Sequence, residues 1–173
     1  MRKAVFLDRD GTLNVEVEYL HEIEKIQILP GVVEALKILK RKGFLLIVIS
    51  NQSGIGRGYF SAEDVNRVNE HMNRLLQKDG VKLDGFYYCP HIQADNCDCR
   101  KPKTKLYLQA ARDFEIDLKK SYMVGDKVTD IIAADELGCG QGLVQTGHMI
   151  DAESKRVYKE CLFNNLLEFA RAI

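Results

Sequence analysis

Five short apolar runs, residues 4–7, 44–49, 85–88, 122–124 and 143–144, alternate along this chain with stretches of helical periodicity. That alternation constrains the fold more than any other feature. Val32, Val33, Leu36 and Leu39 fall at helix spacing after Pro30-Gly31, and Lys42-Gly43 stops the helix before the second run. A second helix opens at Ser61, with Asp64 three residues on as a weaker relative of the capping box, and continues through Val65, Val68, Met72 and Leu76 to Gly80. Pro102 is placed to start a third, carrying Leu106, Leu108, Ala111 and Phe114. Residues 128–137 read as a fourth closed by Gly138, and residues 162–172 as a last amphipathic helix. Strands separated by helices of such length pair in parallel through right-handed crossovers. The expected fold is therefore a doubly wound, mainly parallel α/β sheet of the Rossmann-like kind, in which chemistry sits at the carboxyl ends of the strands.

At 173 residues and 46% hydrophobic, the chain suits one domain over 1–173. The segments after Asp10 and Gln52 are short and leave little room for an inserted cap, so loops alone are expected to cover the site. Lys plus Arg and Asp plus Glu both number 25, which removes the global field that would recruit nucleic acid or an anionic membrane. Recognition of an anion must then be local. With no membrane-length apolar run and no signal-like amino end, a cytoplasmic monomer acting on a small molecule is expected.

Three motifs fall at strand ends, and a fourth just before a helix start. Asp8-Arg9-Asp10-Gly11-Thr12-Leu13 follows the first run and delivers two carboxylates, which suit a nucleophile and a general acid/base around one cation. Ser50-Asn51-Gln52-Ser53-Gly54 follows the second, where a hydroxyl and neighbouring amides can cradle a phosphoryl group. Arg100-Lys101-Pro102 supplies fixed positive charge, with the Arg100 fork able to clamp a second phosphate or a carboxylate-like oxygen, whereas Lys103 and Lys105 read as solvated surface. Gly125-Asp126-Lys127 follows the fourth run, where a carboxylate can complete a magnesium site with Asp8. Asp130, one turn on, reads as a loop support or helix cap. Each motif alone also fits an ordinary turn or surface; together they describe one phosphate site.

Cys89-x-His91, five residues and then Cys97-x-Cys99 place three thiolates and one imidazole in eleven residues. That set suits closed, tetrahedral, structural zinc, stiffening the loop that presents Arg100 and Lys101. Five cysteines argue against a disulfide framework; Cys139 and Cys161 lack partners. His71 and His148 show no ligand pattern.

The hexapeptide from Asp8 resembles the first motif of the haloacid dehalogenase superfamily of phosphotransferases, and Ser50, Lys101 and Asp126 match its second, third and metal-binding motifs. Within it, residues 8–13, 19–22, 50–58, 84–91, 97–102 and 121–127 resemble the cytoplasmic D-glycero-D-manno-heptose 1,7-bisphosphate 7-phosphatases, a zinc-loop subgroup shared with histidinol-phosphate phosphatases. The resemblance implies Asp8 as nucleophile, Asp10 as acid/base with its backbone carbonyl on magnesium, Ser50 and Lys101 on the phosphate, and Asp126 as a further magnesium ligand. It also implies substrate contacts from Glu16, Val17, Glu18, Tyr19, Ser50, Asn51, Gln52, Ser53, Arg100, Lys101 and Lys127, and a place in nucleotide-activated heptose assembly. The five-residue zinc spacer is closer to the histidinol-phosphate branch, while residues 14–22, 51–58 and 125–127 are closer to the heptose branch. Two readings of other classes are a phosphoacceptor receiver domain, which must keep its phosphoryl group long enough to signal, and a zinc-loop partner-binding module without magnesium-dependent turnover.

Overall fold

The computed structural model describes residues 1–173. Six strands, β1 (Lys3–Leu7), β2 (Phe44–Asn51), β3 (Gly85–Cys89), β4 (Tyr122–Gly125), β5 (Gly140–Val144) and β6 (Leu162–Phe163), form one sheet in the order β3-β2-β1-β4-β5-β6. Every neighbouring pair is parallel. The helices are α1 (Val32–Arg41), α2 (Ser53–Gly56), α3 (Ala62–Lys78), α4 (Lys105–Asp113), α5 (Val128–Ile131), α6 (Ala133–Leu137), α7 (Ala152–Val157) and α8 (Leu166–Ala172).

Strand alternation divides the apolar residues between two faces. Val5, Leu7, Leu46 and Val48 pack with α1, α3 and α8 through residues such as Leu36, Met72 and Phe169. Ala4, Phe6, Leu45, Ile47 and Ile49 pack with α4 and α6, and with Cys89 and Cys99. The central strands are therefore buried on both sides, which is why they read as continuous apolar runs. Truncating a core leucine such as Leu46, which is fully buried, would cost about 2–5 kcal/mol.

The chain crosses the sheet in opposite directions from β1, toward β2 on one side and β4 on the other. This is the switch point at which doubly wound sheets bind ligands. Leu7 lies level with both Val48 and Val124, so Asp8, the end of β2 and Asp126 meet at one edge.

The helix ends differ in places from the sequence expectation. Ser61 and Asp64 form the full reciprocal capping box at α3. The third helix begins at Lys105, because residues after Pro102 first make a turn in which Lys103 N donates to Arg100 O. The fourth is divided at Ile132 into α5 and α6. The last begins only at Leu166, since Asn165 Oδ1 accepts the Glu168 N–H and fixes the start there. Leu162 and Phe163 instead add a short strand beside Leu143 and Val144. No helix is long and apolar enough to cross a membrane.

Candidate active site

Asp8 leaves β1 with its N–H donated to Val124 O at 2.9 Å, which anchors the strand end against β4. Lys101 reaches it from the far side of the sheet edge, Nζ lying 2.8 Å from Asp8 Oδ1, 2.8 Å from Asp130 Oδ1 and 2.6 Å from Ile49 O. Its backbone is fastened to β2 by a reciprocal amide pair: Lys101 N donates to Asn51 Oδ1 at 3.0 Å and Asn51 Nδ2 donates to Lys101 O at 3.3 Å. Burial disfavours the ammonium, but Asp130 and Asp8 more than offset this and hold Lys101 protonated. One cation shared by two carboxylates does not neutralise them. Burial, with the Asp130 charge, pushes the Asp8 carboxyl up despite its bond to Lys101.

Carboxylate oxygens of Asp8, Asp126 and Asp130 lie within 4.8 Å of one another, all three buried. Asp130 Oδ2 accepts the Lys127 N–H at 2.9 Å, so both of its oxygens have protein partners and it caps α5. Asp126 differs. Its Oδ2 accepts the His148 N–H at 2.7 Å and meets His148 Nδ1 at 2.8 Å, whereas Oδ1 is buried without a partner. Burial and the Asp8 charge push the Asp126 carboxyl up, against the His148 bonds. An orphaned carboxylate oxygen beside a second carboxylate is an all-oxygen set suited to a hard divalent cation such as magnesium, which would reverse both upward shifts. The backbone crowds this acid: a Cβ at Gly11, whose φ is +81°, would sit 2.5 Å from Asp126 Oδ2. Only glycine fits there.

Asp10 occupies a different environment. Arg9 Nη2 donates to its Oδ2 at 2.8 Å, Asn14 Nδ2 to Oδ1 at 3.0 Å and Gln52 Nε2 to Oδ2 at 3.1 Å. Burial alone would raise this acid; Arg9, Asn14 and Gln52 together hold it below the usual carboxylate value. Gln52 Nε2 also lies 3.3 Å from Ser50 Oγ, placing that buried hydroxyl beside the same group.

Above these residues opens a cleft of about 560 Å³. Glu16, Val17, Glu18, Tyr19, Asn51, Gln52, Ser53, Arg100, Lys101 and Lys127 all line it, while Ser50 and Asp126 lie beneath. Arg100 is steadied by the neighbouring loop, its Nη1 donating to His91 O at 3.3 Å. Glu16, with a third of its side chain in solvent, is raised to about 7 by partial desolvation and by the Asp10 and Asp126 charges, against Lys127 and His148.

The Cys89, His91, Cys97 and Cys99 ligand atoms gather behind Arg100. Five of the six separations are 3.3 to 3.6 Å, and all six are within 4.8 Å. A tetrahedron of zinc–sulfur bonds has edges of roughly 3.8 Å, so three thiols and His91 Nδ1 fit one zinc ion with a slight expansion.

The haloacid dehalogenase-like hydrolase family matches residues 2–138. The chain belongs to this family. A relative from Haemophilus ducreyi, named D-glycero-beta-D-manno-heptose-1,7-bisphosphate 7-phosphatase, is 47% identical over 96% of each chain. One of the same name from Escherichia coli K12 is 42% identical, covering 98% of this chain and 93% of its own. Among solved structures, the D,D-heptose 1.7-bisphosphate phosphatase from B. bronchiseptica, complexed with magnesium and phosphate, superposes with a TM-score of 0.86 at 30% identity, covering 98% and 97% of the two chains.

Three residues of this hydrolase site escape a reading of the sequence. His148 touches Asp126 across 22 positions, and nothing around it forms a motif. Arg9 is fully buried under Asp10, although its place in the first motif makes it look like a spacer. Asn69 bonds to Arg9 from α3, and here a signal exists: it is a polar residue on the apolar stripe, between Val65 and Met72.

Proposed function

We propose that the protein is a magnesium-dependent phosphatase that removes the 7-phosphate of D-glycero-beta-D-manno-heptose 1,7-bisphosphate through an aspartyl phosphate on Asp8. The observation that carries the reading is Asp8 at the floor of the cleft, bridged at 2.8 Å to Lys101, with Asp10 held apart in its own hydrogen-bonded environment. The two acids sit in separate surroundings, Asp8 against the Lys101 ammonium that favours its carboxylate and Asp10 on donors from Arg9, Asn14 and Gln52 that orient it.

Asp8 attacks phosphorus, and Lys101 relieves the repulsion between the two anions. Asp10 protonates the departing sugar oxygen, then takes a proton from the water that hydrolyses the aspartyl phosphate. Ser50 Oγ and the amides that follow it donate to the phosphoryl oxygens. Asp8, Asp126 and the Asp10 carbonyl would hold magnesium, which would supply Lewis-acid neutralisation of phosphoryl charge. Cys89, His91, Cys97 and Cys99 would hold zinc, which would stiffen the loop bearing Arg100. Arg100 and Lys127 remain for the second phosphate, with Glu16, Val17, Glu18, Tyr19, Asn51, Gln52 and Ser53 around the sugar. The reading includes a cytoplasmic monomer, one domain over 1–173, in nucleotide-activated heptose assembly.

Histidinol phosphate, which the short zinc spacer favours, would bring an ammonium group against Arg100. A receiver domain would need a long-lived phospho-Asp8, which an acid placed like Asp10 opposes. The test is a magnesium-supplemented screen of both anomers of the heptose bisphosphate, sugar monophosphates and histidinol phosphate. The highest kcat/KM is expected on the beta bisphosphate. A higher value on histidinol phosphate would overturn the substrate, and no magnesium-dependent turnover on any would overturn the enzyme.

A further inference from the structure

Arg9 places a fully buried guanidinium directly behind the cleft floor. Its Nε lies 3.2 and 3.1 Å from the two Asp10 oxygens, and Nη2 donates to Asp10 Oδ2 at 2.8 Å. Nη1 donates to Asn69 Oδ1 at 3.1 Å, and Nη2 also reaches Gln52 Oε1 at 3.2 Å and Leu20 O at 3.5 Å. Such a group is not needed to fill space, because an apolar residue could pack there without desolvating a charge. The guanidinium has donors only, so any amide beside it must present oxygen. Gln52 therefore turns Oε1 toward Arg9, and this sends Nε2 to Asp10 Oδ2 at 3.1 Å and to Ser50 Oγ at 3.3 Å.

We propose that Arg9 is a positioning residue for leaving-group departure: its fork fixes the Asp10 carboxyl in one orientation at the cleft floor and, through Gln52, couples that acid to Ser50. The inference rests on the reading of Asp10 as the general acid. Asn69 and Leu20 extend the same hub to α3 and to the segment lining the cleft mouth, so the acid is referenced to the core. A misplaced acid harms departure of an alkoxide, which needs a proton, far more than departure of a nitrophenolate, which does not.

The experiment compares kcat/KM, which reports steps up to leaving-group departure, on the heptose bisphosphate and on p-nitrophenyl phosphate. Wild type, Asp10→Asn, Arg9→Lys and Asn69→Leu are measured with magnesium, their folding checked by circular dichroism and thermal melting. Arg9→Lys keeps the charge and loses the fork. It is expected to fall by roughly 10²-fold on the sugar phosphate and by less than about tenfold on the aryl ester, the low end of general-acid effects. Asn69→Leu, which removes an Arg9 partner outside the cleft, should show the same selectivity at smaller size, and decides the matter if Arg9→Lys does not fold. Equal losses on both esters, or no loss, beside a selective Asp10→Asn would overturn the proposal. A non-selective Asp10→Asn would instead overturn the general-acid reading, and the proposal with it.

Discussion

Lys101 Nζ and Asp8 Oδ1 meet at 2.8 Å across 93 positions of sequence, both side chains almost wholly withdrawn from water. The pair joins the loop after the cysteine cluster to the end of β1. Removing the cation would leave Asp8 and Asp130 facing each other without compensation. Lys101→Met should therefore lose about 3–5 kcal/mol in magnesium-free urea unfolding, and added magnesium should restore part of it. Unchanged stability would mean that water or rearrangement already screens the acids.

The two acids of the first motif should fail differently. Asp8→Asn is expected to abolish turnover and any trapped aspartyl phosphate. Asp10→Asn should slow turnover by roughly 10²–10⁴, the usual size of general acid–base help. Quench-flow with labelled substrate separates them, and near-normal phosphate release by Asp8→Asn would remove it as nucleophile.

Two metals should separate by lability. Mild EDTA treatment followed by metal analysis is expected to leave one zinc per chain and to strip magnesium, with activity recovered on adding magnesium back. Cys97→Ser should release zinc and destabilise the loop before Arg100. Activity that follows zinc and ignores magnesium would contradict both assignments.

Arg100 should distinguish bisphosphate from monophosphate. Loss of a charge-assisted bond to the second phosphate predicts that Arg100→Ala loses roughly 1.5–3 kcal/mol more transition-state binding on the bisphosphate than on a monophosphate ester. Equal losses would assign Arg100 to support of the loop through His91 O.

Glu16 should give a pH signature without metal. Its carboxyl is raised in the folded protein from an ordinary value of 4.5 to about 7, so its stabilising contribution is complete below about 4.5 and is lost as pH rises through about 7. With a third of the side chain in solvent, screening keeps the effect small. Urea unfolding of wild type and Glu16→Gln at pH 5 and pH 8 should show wild type losing stability relative to the variant at the higher pH. The opposite slope would place Glu16 nearer Lys127 than the two acids.

Local pattern was enough for much of this protein. The apolar runs at residues 4–7 and 44–49 marked central strands because burial on both faces demands continuous hydrophobicity, and Ser61 with Asp64 marked a helix start because the cap is made within four residues. The strand-end motifs and the cysteine spacing were legible for the same reason: each is a short-range arrangement of groups with one evident chemistry. Tertiary structure alone decided the rest. β6 is only two residues long and exists because β5 offers an edge; the last helix had to begin after it. His148 acquires a role from Asp126, and Arg9 from Gln52 and Asn69, through contacts 22, 43 and 60 residues apart. A buried charge is tolerable only where distant partners converge on it, and that convergence is a property of the folded core, written in no single stretch of the chain.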